Sequence, residues 1–297
     1  MQASRRLLLA LVGSTFCIGA FAQAWPSKPI KVIVPFPPGG GTDIIARETT
    51  QKVAAATGWT FVIDNKPGAG GNLGVDAVAK APADGYTIVL GQTSNIAINP
   101  SLYAKLPYDP QKDLAPIVLI ANAPLVMVTG TGTPLKTLAD AVNAAKAKPG
   151  QVNFASPGNG TVAHLTEEMF QKAAGIKTQH VPYKGANQAL TDVISGNVEL
   201  YMSSVPTLLG HIKQGKLRAL AVTTTTRSPE LPDVPVVADT VPGYEASAFF
   251  GVSAPRNIDR QWKCALGECR PVEWNHQPAN TRGVQLGTAS RIQRLVS

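Results

Sequence analysis

Apolar residues along the chain fall into short blocks separated by polar, Gly- and Pro-rich breaks, and the blocks alternate between two periods. Ile30-Lys31-Val32-Ile33-Val34 is a brief β-branched run, the pattern of a largely buried strand. A Pro/Gly stretch follows over 35–41, then helical spacing over 44–57 that stops at Gly58; a glycine just past the last periodic residue ends a helix. The cycle repeats as strand 60–64, loop 66–71, helix 73–80 and strand 86–90. A long apolar connection over 117–129 leads to a second series. It comprises helix 135–148, strand 152–155, helix 162–174, strand 178–182, helix 188–195, strand 198–202, helix 206–214 and strand 218–223, with 249–253 as the return crossing. Strand, loop and helix in this order predict an α/β fold of parallel strands with helices on both faces. Two such series joined by two extended crossovers predict two lobes with a ligand cleft between them. The first lobe is expected over 25–124 and 250–260, the second over 125–249.

The N-terminus departs from this alternation. Arg5 and Arg6 precede Leu7-Leu8-Leu9-Ala10-Leu11-Val12, and the apolar stretch ends at Ala20-Phe21-Ala22-Gln23-Ala24. A basic start, a short apolar centre and small-x-small sites are the parts of a cleavable signal peptide. Gly13, Ser14 and Thr15 interrupt the run, whereas a membrane anchor needs ~20 apolar residues. Cleavage after Ala24 and export are therefore expected, with Trp25 as the mature terminus. Cys17 would leave with the signal; Cys264 and Cys269 lie near the other end.

Charge changes the picture by where it sits. The chain of 297 residues carries a formal +8, which invites a nucleic-acid reading. Residues 1–24 hold +2, residues 25–260 hold 20 basic and 17 acidic groups, and the last 37 hold 5 and 2. The body is thus nearly neutral and its lysines are scattered, unlike a phosphate-tracking surface. Nucleic acid is excluded as a partner. Charged residues are 15% of the chain, against ~25% in an average globular protein, so any anion site must work largely without formal charge.

Four breaks share one design, in which a strand ends, turn residues follow and a helix begins. They are Pro35-Phe36-Pro37-Pro38-Gly39-Gly40-Gly41-Thr42-Asp43, Ser156-Pro157-Gly158-Asn159-Gly160-Thr161, Tyr183-Lys184-Gly185-Ala186-Asn187 and Ser203-Ser204-Val205-Pro206-Thr207. In open parallel sheets such loops line the ligand crevice. Helix N-termini present unpaired N–H groups and partial positive charge, which suits a carboxylate or phosphate. Singly, each loop is an ordinary helix cap in a turn; four together form an anion site. Gly40 is the expected point of close backbone approach and Thr161 an expected donor.

Other motifs weigh less. Gly68-Ala69-Gly70-Gly71-Asn72-Leu73-Gly74 has irregular spacing for a dinucleotide fingerprint and reads as a structural turn. His164 lies in a helix with no histidine four residues on and no adjacent Glu to make a metal pair. Ser94 and Ser156 lack the Gly-x-Ser-x-Gly elbow. Thr166-Glu167-Glu168 reads as a solvated helix face. No cofactor, metal site or catalytic triad is expected.

The motifs, taken in order, resemble a known family. Trp25-Pro26-Ser27-Lys28-Pro29-Ile30, Val34-Pro35-Phe36-Pro37-Pro38-Gly39-Gly40-Gly41-Thr42-Asp43, Asn65-Lys66-Pro67-Gly68-Ala69-Gly70-Gly71, Ala83-Asp84-Gly85-Tyr86-Thr87, Leu106-Pro107-Tyr108-Asp109-Pro110, Val181-Pro182-Tyr183-Lys184-Gly185 and Leu231-Pro232-Asp233-Val234-Pro235 resemble the Bug or TctC receptors of tripartite tricarboxylate transporters. The resemblance implies a type II periplasmic-binding-protein-like fold, hinged around a small organic carboxylate. It implies a monomer in the periplasm that serves membrane transporter subunits or a sensor kinase. It places Phe36, Pro38, Gly39, Gly40, Thr42 and Asp43 opposite Ser156, Gly158, Asn159, Gly160 and Thr161. Thr93, Ser94, Asn95, Tyr183, Lys184, Ser203 and Ser204 would add contacts. Asp43 is expected to order its loop or cap its helix, with acceptance from a ligand amine or hydroxyl as the alternative.

Residues 261–297 leave the family pattern, with two tryptophans, two cysteines and no sustained helical period. A reading-frame change near Asn257 or a divergent ending would each produce this. Two rival functions follow: a periplasmic hydrolase or transferase pairing Ser94 or Ser156 with His164 in the same cleft, and a product made non-functional by its ending.

Overall fold

The computed structural model describes residues 25–258 of the 297. The expected signal peptide over 1–24, the tail over 261–297 and all three cysteines lie outside the described residues. Strand β1 (Ile30–Val34) pairs in parallel with β2 (Phe61–Asn65) and β3 (Thr87–Gln92). Between them run helices α1 (Gly41–Thr57) and α2 (Asn72–Ala79). Helix α1 buries Ile45, Ala46, Thr49 and Val53, the spacing of one helical face. It ends at Gly58, whose φ of 73° lets its N–H return to Ala54 O at 2.8 Å.

The connection predicted over 117–129 is itself a strand. β4 (Leu114–Gly130) is 17 residues long and serves both halves of the molecule. Up to Pro124 it pairs antiparallel with the return strand β9 (Ser247–Pro255); beyond, it pairs antiparallel with β7 (Leu200–Ser204) and β8 (Leu217–Val222). β9 in turn lies antiparallel to β3. The sheet is therefore mixed, and the expectation of parallel strands holds for β1–β3 and for β5 (Asn153–Ser156) with β6 (Gln179–Pro182) and β7. Crossing strands must reverse direction to return the chain, which makes them antiparallel to their neighbours.

Helices α3 (Leu138–Ala147), α4 (Val162–Ala174), α5 (Ala186–Ser195) and α6 (Val205–Lys213) cover the second lobe. One apolar cluster runs from Ile30, Val32 and Leu90 to Phe154, Phe170 and Met202. Two more fill the opposite faces, around Val75 and Val89 and around Val126 and Tyr201. Thr223, at the end of β8, ties the crossing region together. Its hydroxyl donates to Ala246 O at 2.7 Å and accepts from Leu125 N–H at 3.0 Å. Among the described residues no helix is long and apolar enough to cross a membrane.

Candidate ligand-binding cleft

Each of the four motif-bearing breaks lies at the C-terminal end of a strand, β1, β5, β6 or β7, and each opens a helix, α1, α4, α5 or α6. Their N-termini converge on one cleft between the lobes. It is lined by Gly40, Gly41 and Thr42 of α1, Thr161, Val162 and Ala163 of α4, Gly185 and Ala186 of α5, and Ser204 and Thr207 of α6. The cleft holds about 550 Å³ of space continuous with solvent. Phe36, Leu125 and Phe250 supply apolar walls, and among the described residues no lining residue is charged. Gly40, Gly185 and Ser204 cap α1, α5 and α6 without a side-chain hydrogen bond to the helix backbone. Three of the four N-termini thus keep their first N–H groups free of side-chain caps.

The lobes are close around this cleft. Asn187 Nδ2 donates to Pro38 O across the gap at 3.2 Å. A Cβ on Gly41 would fall 2.7 Å from Thr207 Oγ1 and closer still to Ser204 Oγ, while one on Gly40 would meet only Pro37 O at 3.6 Å. The tightest approach of this loop to the other lobe is therefore at Gly41, the first residue of α1, which begins three residues earlier than its periodicity indicated.

The first-lobe loop is fastened by a carboxylate. Asp43, almost fully buried, accepts from Gly39 N–H at 2.9 Å, Arg47 Nε at 2.8 Å and Asn65 Nδ2 at 2.9 Å. Burial pushes its pKa up, but the Arg47 hydrogen bond, the Gly39 and Asn65 donors and the Arg47 charge together bring it below the usual value.

The second-lobe loop is fastened by neutral groups. Ser156 Oγ lies 2.7 Å from His180 Nε2, and Gly158 N–H donates to the same oxygen at 3.2 Å. Gly160 N–H donates to His164 Nδ1 at 3.2 Å. The two imidazoles stack with centroids 4.0 Å apart. Behind them Glu167 is fully buried, accepting from Thr178 Oγ1 at 3.2 Å. His180 Nε2 stands 4.0 Å from Glu167 Oε2, an ion-pair distance. Desolvation nevertheless pushes Glu167 up to about 8, and desolvation with the neighbouring His164 pushes His180 down to about 4. Between those values the two groups hold one proton and no net charge.

A model of the tripartite tricarboxylate transporter family receptor, TctC, matches residues 45–265, most of the chain. The chain belongs to this receptor family. It is 40% identical over 259 residues to protein BugT of Bordetella pertussis, covering 85% of this chain and 79% of that one. A solved structure of R. palustris Rpa4515 with adipate is 35% identical, with a TM-score of 0.79 and 81% of each chain covered. MatC of Rhodopseudomonas palustris with bound malate is 28% identical at TM-score 0.75, covering 82% of this chain and 84% of that one. TctC receptors are periplasmic binding proteins that work with transporter subunits, and the two-lobe α/β fold is theirs.

In this TctC receptor, Phe36, Gly40, Thr42, Thr161, Ser203 and Ser204 line the cleft. Pro38 and Gly39 are exposed and face Asn187 of the other lobe. Asp43 sits beneath its loop. Thr93 Oγ1 accepts from Phe249 N–H at 2.9 Å, and Ser94 and Asn95 are buried in a π-helical turn. Ser156, Gly158 and Gly160 form the back of their loop, and Asn159 is exposed. Tyr183 turns away to donate to Asp192 at 2.6 Å, and Lys184 is exposed. The Ser203–Ser204 break is no loop, since β7 runs directly into α6.

Two readings need correction. Thr166 and Glu167 are buried rather than solvated; Thr178 and His180 meet Glu167, and Tyr244 meets the Thr166 carbonyl. The spacing was informative, since Ala163, Glu167 and Phe170 share one helical stripe. Ser156 meets His180, not His164, and neither Ser94 nor Ser156 lines the cleft, so the serine–histidine pair of the hydrolase reading does not form there. Outside the four breaks, the sequence reading missed Gln92, Leu125, Val162, Ala163, Ala248 and Phe250 as lining residues. Gln92 ends a parallel strand, a usable signal; Leu125, Ala248 and Phe250 come from crossing strands, whose inward faces depend on register.

Proposed function

We propose that this receptor is exported with a cleavable signal peptide over residues 1–24 and captures a small organic carboxylate as a monomer. It presents that solute to the membrane subunits of a tripartite tricarboxylate-type transporter and does not change it chemically. The observation that carries this reading is the convergence of four helix N-termini, three without side-chain caps, on a cleft in which no described lining residue is charged. Aligned N–H groups stabilise an anion through hydrogen bonds and partial positive charge. With no lining carboxylate to repel it, an anion is the ligand such a surface favours. Phe36, Leu125 and Phe250 suit the aliphatic part of the same molecule. The adipate and malate of its structural relatives support the same ligand class.

A thermal-shift and calorimetric series with adipate, malate and related acids tests this. Ligand at 100 times its Kd should stabilise the protein by about 2.7 kcal/mol, with one site per chain and the acid recovered unchanged by mass spectrometry. Turnover of the acid in proportion to protein, or no protection by any carboxylate, overturns the reading.

A further inference from the structure

The receptor reading leaves the stacked imidazoles behind the second-lobe loop without a role. His164 Nδ1 accepts the Gly160 N–H at 3.2 Å, so the ring is neutral with its hydrogen on Nε2. Gly160 immediately precedes Thr161, the N-cap of α4, whose hydroxyl accepts from His164 N–H at 3.4 Å and donates to Gly158 O at 2.7 Å. His164 therefore holds the turn from which the α4 N-terminus enters the cleft. Its place against His180, 4.0 Å away in a near-parallel stack, opposes two positive rings. We propose that His164 is a positioning residue for the anion site: as a neutral acceptor it fixes Gly160 and Thr161 in the binding shape, and its protonation releases that turn and lowers anion affinity.

The groups facing His164 are consistent with this. Glu168, four residues on, approaches Nε2 at 3.9 Å from the solvent side. Glu167 on α4 and His180 on β6 lie behind, and Tyr244 donates to Thr166 O at 2.8 Å from the 241–246 segment. Leu102, Asn99 and Tyr103 of the first lobe lie against Gly160, so the turn also meets the opposite lobe. Burial lowers the His164 pKa despite Glu168, which favours the neutral acceptor at neutral pH and its loss on acidification. When Nδ1 takes a proton it becomes a donor facing the Gly160 donor, and the fastening becomes a repulsion.

This inference rests on the carboxylate-receptor reading, and the test separates the two. Adipate and malate affinities are measured by calorimetry at pH 7.5 and 5.0 for wild type, His164→Asn and His164→Leu. Asn places its Oδ1 where Nδ1 stood and does not titrate. The expected result is near-wild-type affinity for His164→Asn at pH 7.5 and weaker binding by His164→Leu at both values. Wild type should lose about threefold more affinity than His164→Asn on acidification; the ligand's own titration cancels in that ratio. In ligand-free protein, the Gly160 amide resonance should move with the His164 titration in wild type and stay fixed in His164→Asn. Parallel pH profiles in wild type and His164→Asn, or a Gly160 amide indifferent to the titration, overturn the role of His164. If neither acid binds wild type at pH 7.5, a carboxylate that protects in the thermal-shift series replaces them; if none protects, the ligand class fails instead, and the amide resonance alone decides the positioning role.

Discussion

The two loops that face each other across the cleft do the same job with opposite chemistry. In the first lobe, a buried carboxylate gathers the Gly39, Arg47 and Asn65 donors around Asp43 and holds the turn leading into α1. In the second lobe, imidazoles and hydroxyls hold residues 156–161, and the acid behind them, Glu167, is kept protonated at neutral pH. The difference follows from the available partners. Asp43 has a guanidinium at 2.8 Å with an outlet to solvent, whereas Glu167 Oε2 has no hydrogen-bond partner among the described residues. A charge is kept where it is paired and given up where it is not. The two loops beside the cleft should therefore respond to pH in opposite ways.

Glu167→Gln probes that contrast most strongly. A folded pKa of about 8 lies above the unfolded value, so protonated Glu167 contributes stability that is fully present below the unfolded pKa and lost as pH rises through 8. Gln imitates the neutral acid and does not titrate. Urea midpoints at pH 5 and pH 8 should show wild type losing on the order of a few kcal/mol relative to the variant. Equal pH dependence would mean that Glu167 is ionised and that both loops rest on charge.

Asp43→Asn makes the complementary change and should cost about 2 kcal/mol at pH 7, because all three partners are donors and an amide offers only one acceptor oxygen. Here the sign reverses. With its folded pKa lowered, the Asp43 contribution is present above the unfolded value and lost as pH falls through the folded one. The gap between wild type and variant should therefore close in acid and persist at pH 8, which chemical denaturation at three pH values would read. A gap that closes on the alkaline side instead would remove the contrast between the loops.

The smallest effect is expected where the lobes meet. Asn187→Ala removes the bond to Pro38 O, which is exposed, so about 0.5–1.5 kcal/mol is at stake, at most roughly tenfold in affinity. Calorimetry should show that loss with little change in melting temperature. An unchanged affinity would mean that closure rests on the Gly41 contact with Ser204 and Thr207.

The order of strands and helices, the four helix-opening breaks and their scarcity of charge were legible in the chain, because local periodicity and turn chemistry are properties of neighbouring residues. Helix α4 was placed at 162–174, as found. The start of α1 was less legible, since Gly41 and Thr42 carry no apolar signal and are helical because the turn at Gly39 is held by Asp43. Tertiary structure decided what packs against what. Thr178 and His180 lie on one face of the chain at a period of two, yet nothing local says that this face covers α4 and meets Glu167 and Ser156. An acidic residue on an apolar stripe reads as solvated until the strand opposite it is known. The same holds for β4, whose apolar run is strand rather than connection because β9, β7 and β8, from 70 or more residues away in sequence, supply its hydrogen bonds. Sequence thus determined which breaks open helices and what polar groups they carry; long-range packing decided which groups remained charged, because desolvation depends on every element that excludes water and not on the one that carries the residue.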